Sequence, residues 1–286
     1  MPRTSMDNMS MATVPLRDEI FAANRATGRI ALSVVAGSGR SRPARVHESG
    51  SLRVRFPHRD GQALDAVIVN TAGGMTGGDR FDVDIDIAAG AAVSTTTAAA
   101  EKIYRSLGPD TVLGVNLTVG SGATLTWLPQ ETILFDRARL RRNIDVNLAP
   151  DASLLLAEAC VFGRSAMGET VVSGCVFDRW RVRIGGALVY ADSVRLEGGI
   201  AQSLTEPAIA AGGAAVASVV KIPGNEDDVA TVRAIQQDFK GDVGPSAWNG
   251  LAAVRCVAAD GAALRHDLAK VLAALGSGPL PRLWTH

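Results

Sequence analysis

The stretch Phe81-Asp82-Val83-Asp84-Ile85-Asp86-Ile87 alternates apolar and acidic residues without a break. A strand points successive side chains to opposite faces, so this run sets four apolar side chains on one face and three carboxylates on the other. A helix would scatter both sets around its axis. The same alternation returns at Val115–Val119, Ile144–Leu148 and Trp180–Ile184. Each run meets a small turn element, Gly90-Ala91, Gly122-Ala123, Asp151-Ala152 and Gly186-Ala187, and then a second apolar strand. The alanines of these turns are separated by 32, 29 and 35 residues. One hairpin cannot bury its apolar face alone, so a strand–turn–strand unit with this recurrence has to stack on its neighbours. The expected fold is therefore mainly β, with stacked, solenoid-like sheet layers.

Helical spacing comes late. Val229, Val232, Ile235 and Phe239 share a helical stripe within Glu226–Phe239, with Asp227 and Asp228 in its first turn. Leu264, Leu268, Val271, Leu272 and Leu275 form a second stripe that stops at Gly276. A few short helices, mostly in the C-terminal third, are expected. Pro207–Val220 stays open because Gly212 and Gly213 interrupt it, and the tail Pro279–Trp284 is too rich in proline for a helix. No linker separates two halves, so residues 1–286 read as a single domain with 1–15 as a flexible N-terminal segment. Aromatics make up only 5% of the chain and glycine reaches 30 residues. The core must come from aliphatic side chains, with many tight turns.

Several function classes fall away. Lys plus Arg and Asp plus Glu are 29 each, and that balance lacks the basic excess of a generic nucleic-acid or anionic-membrane binder. The longest uncharged run, Thr111–Gln130, is broken by Asn116, Gly120, Gly122 and Pro129, so it reads as strands and a turn rather than a membrane span. The N-terminus lacks an apolar signal core. Cys160, Cys175 and Cys256 fit no zinc or redox spacing and read as reduced, buried thiols. A soluble cytoplasmic protein is the expectation. No P-loop, GxGxxG or GxSxG motif occurs. Asp82, Asp84 and Asp86 imitate the start of a calcium loop, but Ile87 and Val93 stand where glycine and glutamate are required. His47, His58, His266 and His286 are scattered, without metal-ligand spacing.

Three polar segments look too specific for packing alone. Two glycine pairs, Gly73-Gly74 and Gly77-Gly78, precede Asp79 and Arg80 after the strand Val67-Ile68-Val69. They call for positive φ or close approach to another surface. Either an elaborate turn with an Asp79–Arg80 pair or a partner-binding loop would satisfy them. In Glu101–Ser106, alternation sends Lys102 and Tyr104 to one face and Ile103 and Arg105 to the other, which a polar strand end would also explain. Gln130 and Glu131 interrupt the apolar Leu128–Phe135, and Glu158 follows Leu154-Leu155-Leu156-Ala157. A carboxylate there must be paired, protonated or facing a wet channel. Arg164 and Glu169 flank the next glycine turn. Salt bridges within the fold and a polar cavity or partner surface both remain open for these groups.

Five segments occur in order: GGMTGGDR at 73–80, TTTAAAEKIYRS at 95–106, LPQETILFD at 128–136, EACVFGRSAMGE at 158–169 and PLPRLW at 279–284. On these the chain resembles the UreD family of urease accessory proteins, also called UreH. It departs from the family at Asn70-Thr71-Ala72, where prolines are common, and at Ala98-Ala99, where Pro-Gly is frequent. The resemblance implies a β-rich, non-enzymatic maturation factor. It would act with UreF and the GTPase UreG on apo-urease, as a scaffold for assembling the dinuclear nickel centre, with UreE commonly delivering nickel. No tightly bound cofactor is implied; nickel would pass transiently, through an internal water-filled tunnel. Carboxylates beside apolar runs make Asp79, Glu131 and Glu158 the candidate lining groups, since a conduit needs ligands weaker than thiolates. Gly73, Gly74, Gly77, Gly78, Arg80, Lys102, Tyr104, Arg105, Gln130, Arg164 and Glu169 are the candidate partner-contact or structural motif residues. The resemblance also turns Asn225–Leu275 toward UreF, and a binding role of this kind implies that the chain alone is poorly soluble or self-associating. Two other classes compete: an enzyme binding a phosphorylated ligand at the glycine loop, and a β-repeat structural or adhesion protein. Asp79 opposes the first, since a bound anion would meet a carboxylate.

Overall fold

The computed structural model describes residues 25–58, 61–164, 167–276 and 278–284. The segment 1–15, expected to be flexible, lies outside the described residues. Four strands open the fold: β1 (Thr27–Val35), β2 (Arg42–Gly50), β3 (Leu52–Arg55) and β4 (Leu64–Asn70). The repeating coils follow. The first is β5 (Arg80–Ile87), β6 (Ala92–Thr97) and β7 (Glu101–Ile103). The second is β8 (Thr111–Val119), β9 (Thr124–Trp127) and β10 (Thr132–Leu134), and the third is β11 (Arg139–Leu148) and β12 (Ser153–Phe162). The remainder runs β13 (Gly174–Ile184), β14 (Ala187–Gly198), α1 (Ile200–Thr205), β15 (Ala215–Ile222), α2 (Glu226–Ala234), β16 (Asp242–Trp248), β17 (Leu251–Ala258) and α3 (Gly261–Leu275).

First strands of the coils stack parallel in one sheet, of order β14-β13-β11-β8-β5-β1-β2, and second strands stack in another, of order β16-β17-β15-β12-β9-β6-β4-β3. β7, β10 and the end of β12 form a third side. The register repeats the sequence period: Ala92 lies opposite Thr124 and Thr124 opposite Ser153. At the corners Gly90 and Gly122 take φ of 69° and 61°, and Ala91, Ala123 and Ala152 are buried. A small residue is needed where the two sheets converge.

The fourth turn behaves differently. Gly185 and Gly186 both have positive φ, 55° and 87°, and β14 returns antiparallel beside β13 in the same sheet. Two successive left-handed residues give the tight turn whose twist suits a hairpin, so the chain reverses instead of turning a corner. The 35-residue step therefore ends the stack rather than adding a coil.

Inward residues of the first sheet, among them Phe81, Val83, Ile85, Leu117, Ile144 and Val146, pack against Val93, Leu125, Leu154 and Leu156 of the second. The outer face of the second sheet is covered by α3, whose Leu264, Leu268, Val271 and Leu272 meet Leu155, Ala157, Ala159 and Val254. β12 is thus buried on both faces, which is why it reads as a continuous apolar run.

The two late helices form, with shifted ends. α2 starts at a capping box in which Asn225 Oδ1 accepts from the Asp227 and Asp228 amides and the Asp228 carboxylate accepts from the Asn225 amide. It stops at Ala234, short of Phe239, and a 3-10 turn covers Gln236–Asp238. α3 ends before Gly276 as expected. The tail contains one 3-10 turn, Arg282–Trp284. The open region Pro207–Val220 resolves into a turn and then β15. Among the described residues no helix is long and apolar enough to cross a membrane.

Candidate functional site

The glycine segment joins the third side through a single parallel bridge, Met75 opposite Ile103. The Met75 amide donates to the Lys102 carbonyl at 2.7 Å, and the Tyr104 amide donates to the Met75 carbonyl at 2.8 Å. Gly74 lies beneath the Tyr104 ring, where a Cβ would stand 2.4 Å from Cε2. At Gly77 a Cβ would stand 1.9 Å from Ser106 Oγ. These two glycines serve close approach within the chain, so their backbone is already covered by Tyr104 and Ser106 and offers no cradle for a phosphate. Gly73 and Gly78 supply positive φ, 74° and 91°. Asp79 is buried, and its carboxylate accepts from the Ala26 and Thr76 amides, both at 2.8 Å. The expected Asp79–Arg80 pair does not form. Strand alternation turns Arg80 outward, where it meets Asp82 at 2.9 Å.

Successive coils then stack a ladder of signature residues. Pairing of Thr132 with Glu101 brings Phe135 beside Tyr104, with ring centroids 4.8 Å apart, edge to face. The Arg164 guanidinium sits 4.3 Å over the Phe135 ring, and its Nε donates to Glu169 at 2.6 Å. Lys102 and Tyr104 are exposed and Ile103 is buried, as alternation requires. Arg105 is exposed as well, because the strand ends at Ile103 and the chain turns out. Behind the ladder, Asn70 Nδ2 donates to both oxygens of Glu101, at 2.9 and 3.1 Å. Burial pushes the Glu101 carboxyl up to about 7.

Gln130 and Glu131 anchor the C-terminal tail. Arg265, on α3, donates to Gln130 Oε1 at 2.7 Å, to Glu131 Oε1 at 2.8 Å and to the Leu283 carbonyl at 2.9 Å. It also lies 4.9 Å over the ring of Trp284. Trp284 is buried and donates to the Leu128 carbonyl at 2.9 Å. The LPQE and PLPRLW motifs are two halves of one clasp.

Glu158 belongs to a different arrangement, between the sheets. In three strands the inward phase carries one charge each. Arg142 is in phase with Leu140 and Ile144 on β11, Asp178 with Val176 and Trp180 on β13, and Glu158 with Leu156 and Cys160 on β12. Arg142 and Asp178 are register partners. The Arg142 guanidinium is 1% exposed. Its Nε donates to Asp178 Oδ1 at 3.0 Å, its Nη2 to Asp178 Oδ2, and its Nη1 reaches across to Glu158 Oε2. Indoles complete the set: Trp127 Nε1 donates to Glu158 at 2.9 Å and Trp180 Nε1 to Asp178 at 3.1 Å. Burial raises the Glu158 pKa, against the opposing pull of Arg142 and the Trp127 hydrogen bond, and the Asp178 charge adds to the rise. Burial likewise lifts the Cys160 thiol to about 11, so it stays neutral. Arg142, Glu158, Cys160, Asp178 and Trp180 floor a cavity of about 540 Å³ walled by Phe162, Leu196, Leu204 and Val257. Arg255 spans the gap between the sheets there, donating to Asp192 and to Ser218 Oγ at 2.8 Å.

The structure therefore separates the three candidate lining carboxylates. Asp79 holds the glycine loop, Glu131 holds the tail clasp, and only Glu158 borders the cavity. Among the described residues no three His, Cys, Asp or Glu converge in a metal-holding group. Arg142, Asp178, Arg265 and Phe135 were not singled out by sequence reasoning. The available signal was a charge on the apolar phase of a strand, at Arg142 and Asp178; nothing comparable marks Arg265.

A family model described as UreD urease accessory protein matches residues 26–285. A curated relative from Rhodopseudomonas palustris (strain BisA53), urease accessory protein UreD, is 54% identical over 265 residues, covering 93% of this chain and 92% of the relative. A protein of the same name from Bradyrhizobium diazoefficiens is 53% identical, covering 93% and 96%. Another, from Rhodopseudomonas palustris (strain ATCC BAA-98 / CGA009), is 51% identical over 276 residues, covering 96% and 99%.

Proposed function

The chain belongs to the UreD family of urease accessory proteins, and from that membership, which gives it a role in urease maturation, we propose a non-catalytic scaffold for nickel insertion. It works in the cytoplasm with UreF and the GTPase UreG, docks on apo-urease and lets nickel pass toward the dinuclear centre. Nickel is cargo here, bound transiently. The surface of Asn225–Leu275 is assigned to UreF, and the chain without its partners is poorly soluble or self-associating.

One observation carries the conduit reading: a polar-floored cavity lies between the sheets, and two carboxylates there share a single guanidinium. That floor suits transient passage. Glu158 and Asp178 can attract a divalent cation, while Arg142 beside them weakens its hold. Cys160, kept protonated, offers no thiolate to trap a soft metal. The path runs beside Glu158, with Asp79 and Glu131 acting on the frame around it. Buried, unpaired cysteines fit a reducing compartment.

The test is urease activation in cells carrying the remaining urease genes, with and without this chain, at fixed nickel. Activity should disappear without the chain while apo-urease still accumulates. Unchanged activity would refute the role. Glu158→Gln should lower activation without lowering the amount of complex; full activation by that variant would remove the conduit.

A further inference from the structure

We propose that the return loops on the third side form the surface that docks on apo-urease, recognising an acidic patch that surrounds an apolar knob; this rests on the proposed function. The loops lie side by side. The Ser106 amide donates to the Arg137 carbonyl at 3.0 Å, and the Arg137 amide donates to the Ser173 carbonyl at 2.8 Å. The three most exposed large apolar side chains among the described residues all come from this region: Leu107 at 85%, Met167 at 72% and Val172 at 62%. Leu107 and Val172 flank Arg137 through those two hydrogen bonds. Apolar groups set this far into water on adjacent loops mark a contact surface rather than a fold requirement.

Charge supplies the second half of the argument. Lys102, Arg105, Arg137 and Arg164 are all exposed. Every acidic residue of the same segments is set deeper and committed to the frame. Glu101 is held by Asn70 and Asp110 by Arg139 and Arg141, while Glu169 pairs with Arg164, and Asp136 accepts from the Ser173 amide and pairs with Arg137 at 3.6 Å. Lys102 and Arg105 make no ion pair among the described residues, and the paired guanidiniums of Arg137 and Arg164 are more exposed than their carboxylate partners. The outward charge is therefore cationic, and its complement is an acidic rim around an apolar knob. The Tyr104–Phe135 contact and the backbone bonds hold the loops of Leu107 and Arg137 before contact, so little ordering of these is left for binding. The stretch Asn225–Leu275 is assigned to UreF, and the return loops carrying Leu107, Arg137 and Val172 contain none of it.

The chain in complex with its co-expressed accessory partners is titrated against immobilised apo-urease at low and high ionic strength. Wild type should bind, and more weakly as salt rises. Arg105→Glu with Arg137→Glu should weaken binding by roughly tenfold or more and flatten its salt dependence, and Leu107→Asp should weaken it to a similar degree. Thermal melting of both variants should stay close to wild type, because these side chains are exposed and the solvent-facing Arg137–Asp136 pair contributes little to stability. Variants that bind like wild type overturn the surface and leave the proposed function standing. A wild-type complex that fails to bind overturns the proposed function, and the surface with it.

Discussion

Replacing Arg142 with methionine tests whether the charged network between the sheets is read correctly. Methionine keeps much of the side-chain length, so the change mainly removes the cation. Glu158 and Asp178 would then face each other's field with only indole hydrogen bonds. Removing one partner of a buried ion pair costs about 3–5 kcal/mol. Unfolding entropy near 60 °C is about 2.1 cal/mol/K per residue, or about 0.6 kcal/mol/K for a chain of this length. The melting temperature should therefore fall by about 5–8 °C at alkaline pH. The sign of its pH dependence is fixed by Glu158. Burial already raises that carboxyl, and loss of Arg142 raises it further, since the first force opposing the rise is gone. Stability linked to a raised carboxyl is fully present below the unfolded value and is lost as pH rises through the folded one. The deficit should thus be small in acid and largest at alkaline pH. Differential scanning calorimetry across that range reads it directly. Combining Arg142→Met with Glu158→Gln and Asp178→Asn should recover most of the loss, as neutral hydrogen-bonding groups replace unpaired charge. A single variant as stable as wild type at alkaline pH, or a deficit that grows on acidification, would refute the reasoning.

Other perturbations reach the remaining parts of the fold. Trp284→Ala should cost about 3–5 kcal/mol in denaturant unfolding, because it empties a buried site and releases the clasp under Arg265. Gly77→Ala should destabilise by about 1–3 kcal/mol, since its Cβ collides with Ser106 Oγ and the Pro109 carbonyl; a melt unchanged by the substitution would contradict the close packing of the loop. The Glu101 carboxyl titrates at about 7, so its contribution is complete below the ordinary carboxylate range and is lost as pH rises through neutrality. Glu101→Gln should remove that part of the pH dependence of melting, and an identical profile in the variant would show that another group is responsible.

Where the sequence pattern was local, it was legible. Period-two alternation in Phe81–Ile87 appears in space as the acidic outer and apolar inner faces of β5. The 32- and 29-residue steps reappear as strand register, because a parallel stack aligns residues one coil apart. The 35-residue step misled, because a second glycine at the turn switches a corner into a hairpin and spacing alone does not record φ. β16, β17 and α1 escaped notice for a related reason. β16 is half exposed and contains Gly244 and Pro245, so its strand character comes from pairing with β17 rather than from its own composition.

The candidate site divides in the same way. Side-chain type and local position marked Glu131, Glu158, Arg164 and Glu169 but left salt bridges, a polar cavity and a partner surface open; in the structure each has an ionic partner. Arg164 and Glu169, five apart in the chain, pair with each other. Arg265 reaches Glu131 from 134 residues away, and Arg142 meets Glu158 from the opposite sheet. By itself, then, the sequence determined the stacked strands, the late helices, the tight glycine loop and membership of the family. Tertiary structure alone decided which carboxylate borders the cavity, which ones hold loop and tail, and which cations face outward. A strand's alternation tells a side chain only in or out, and its partner depends on which other strand the fold lays across from it.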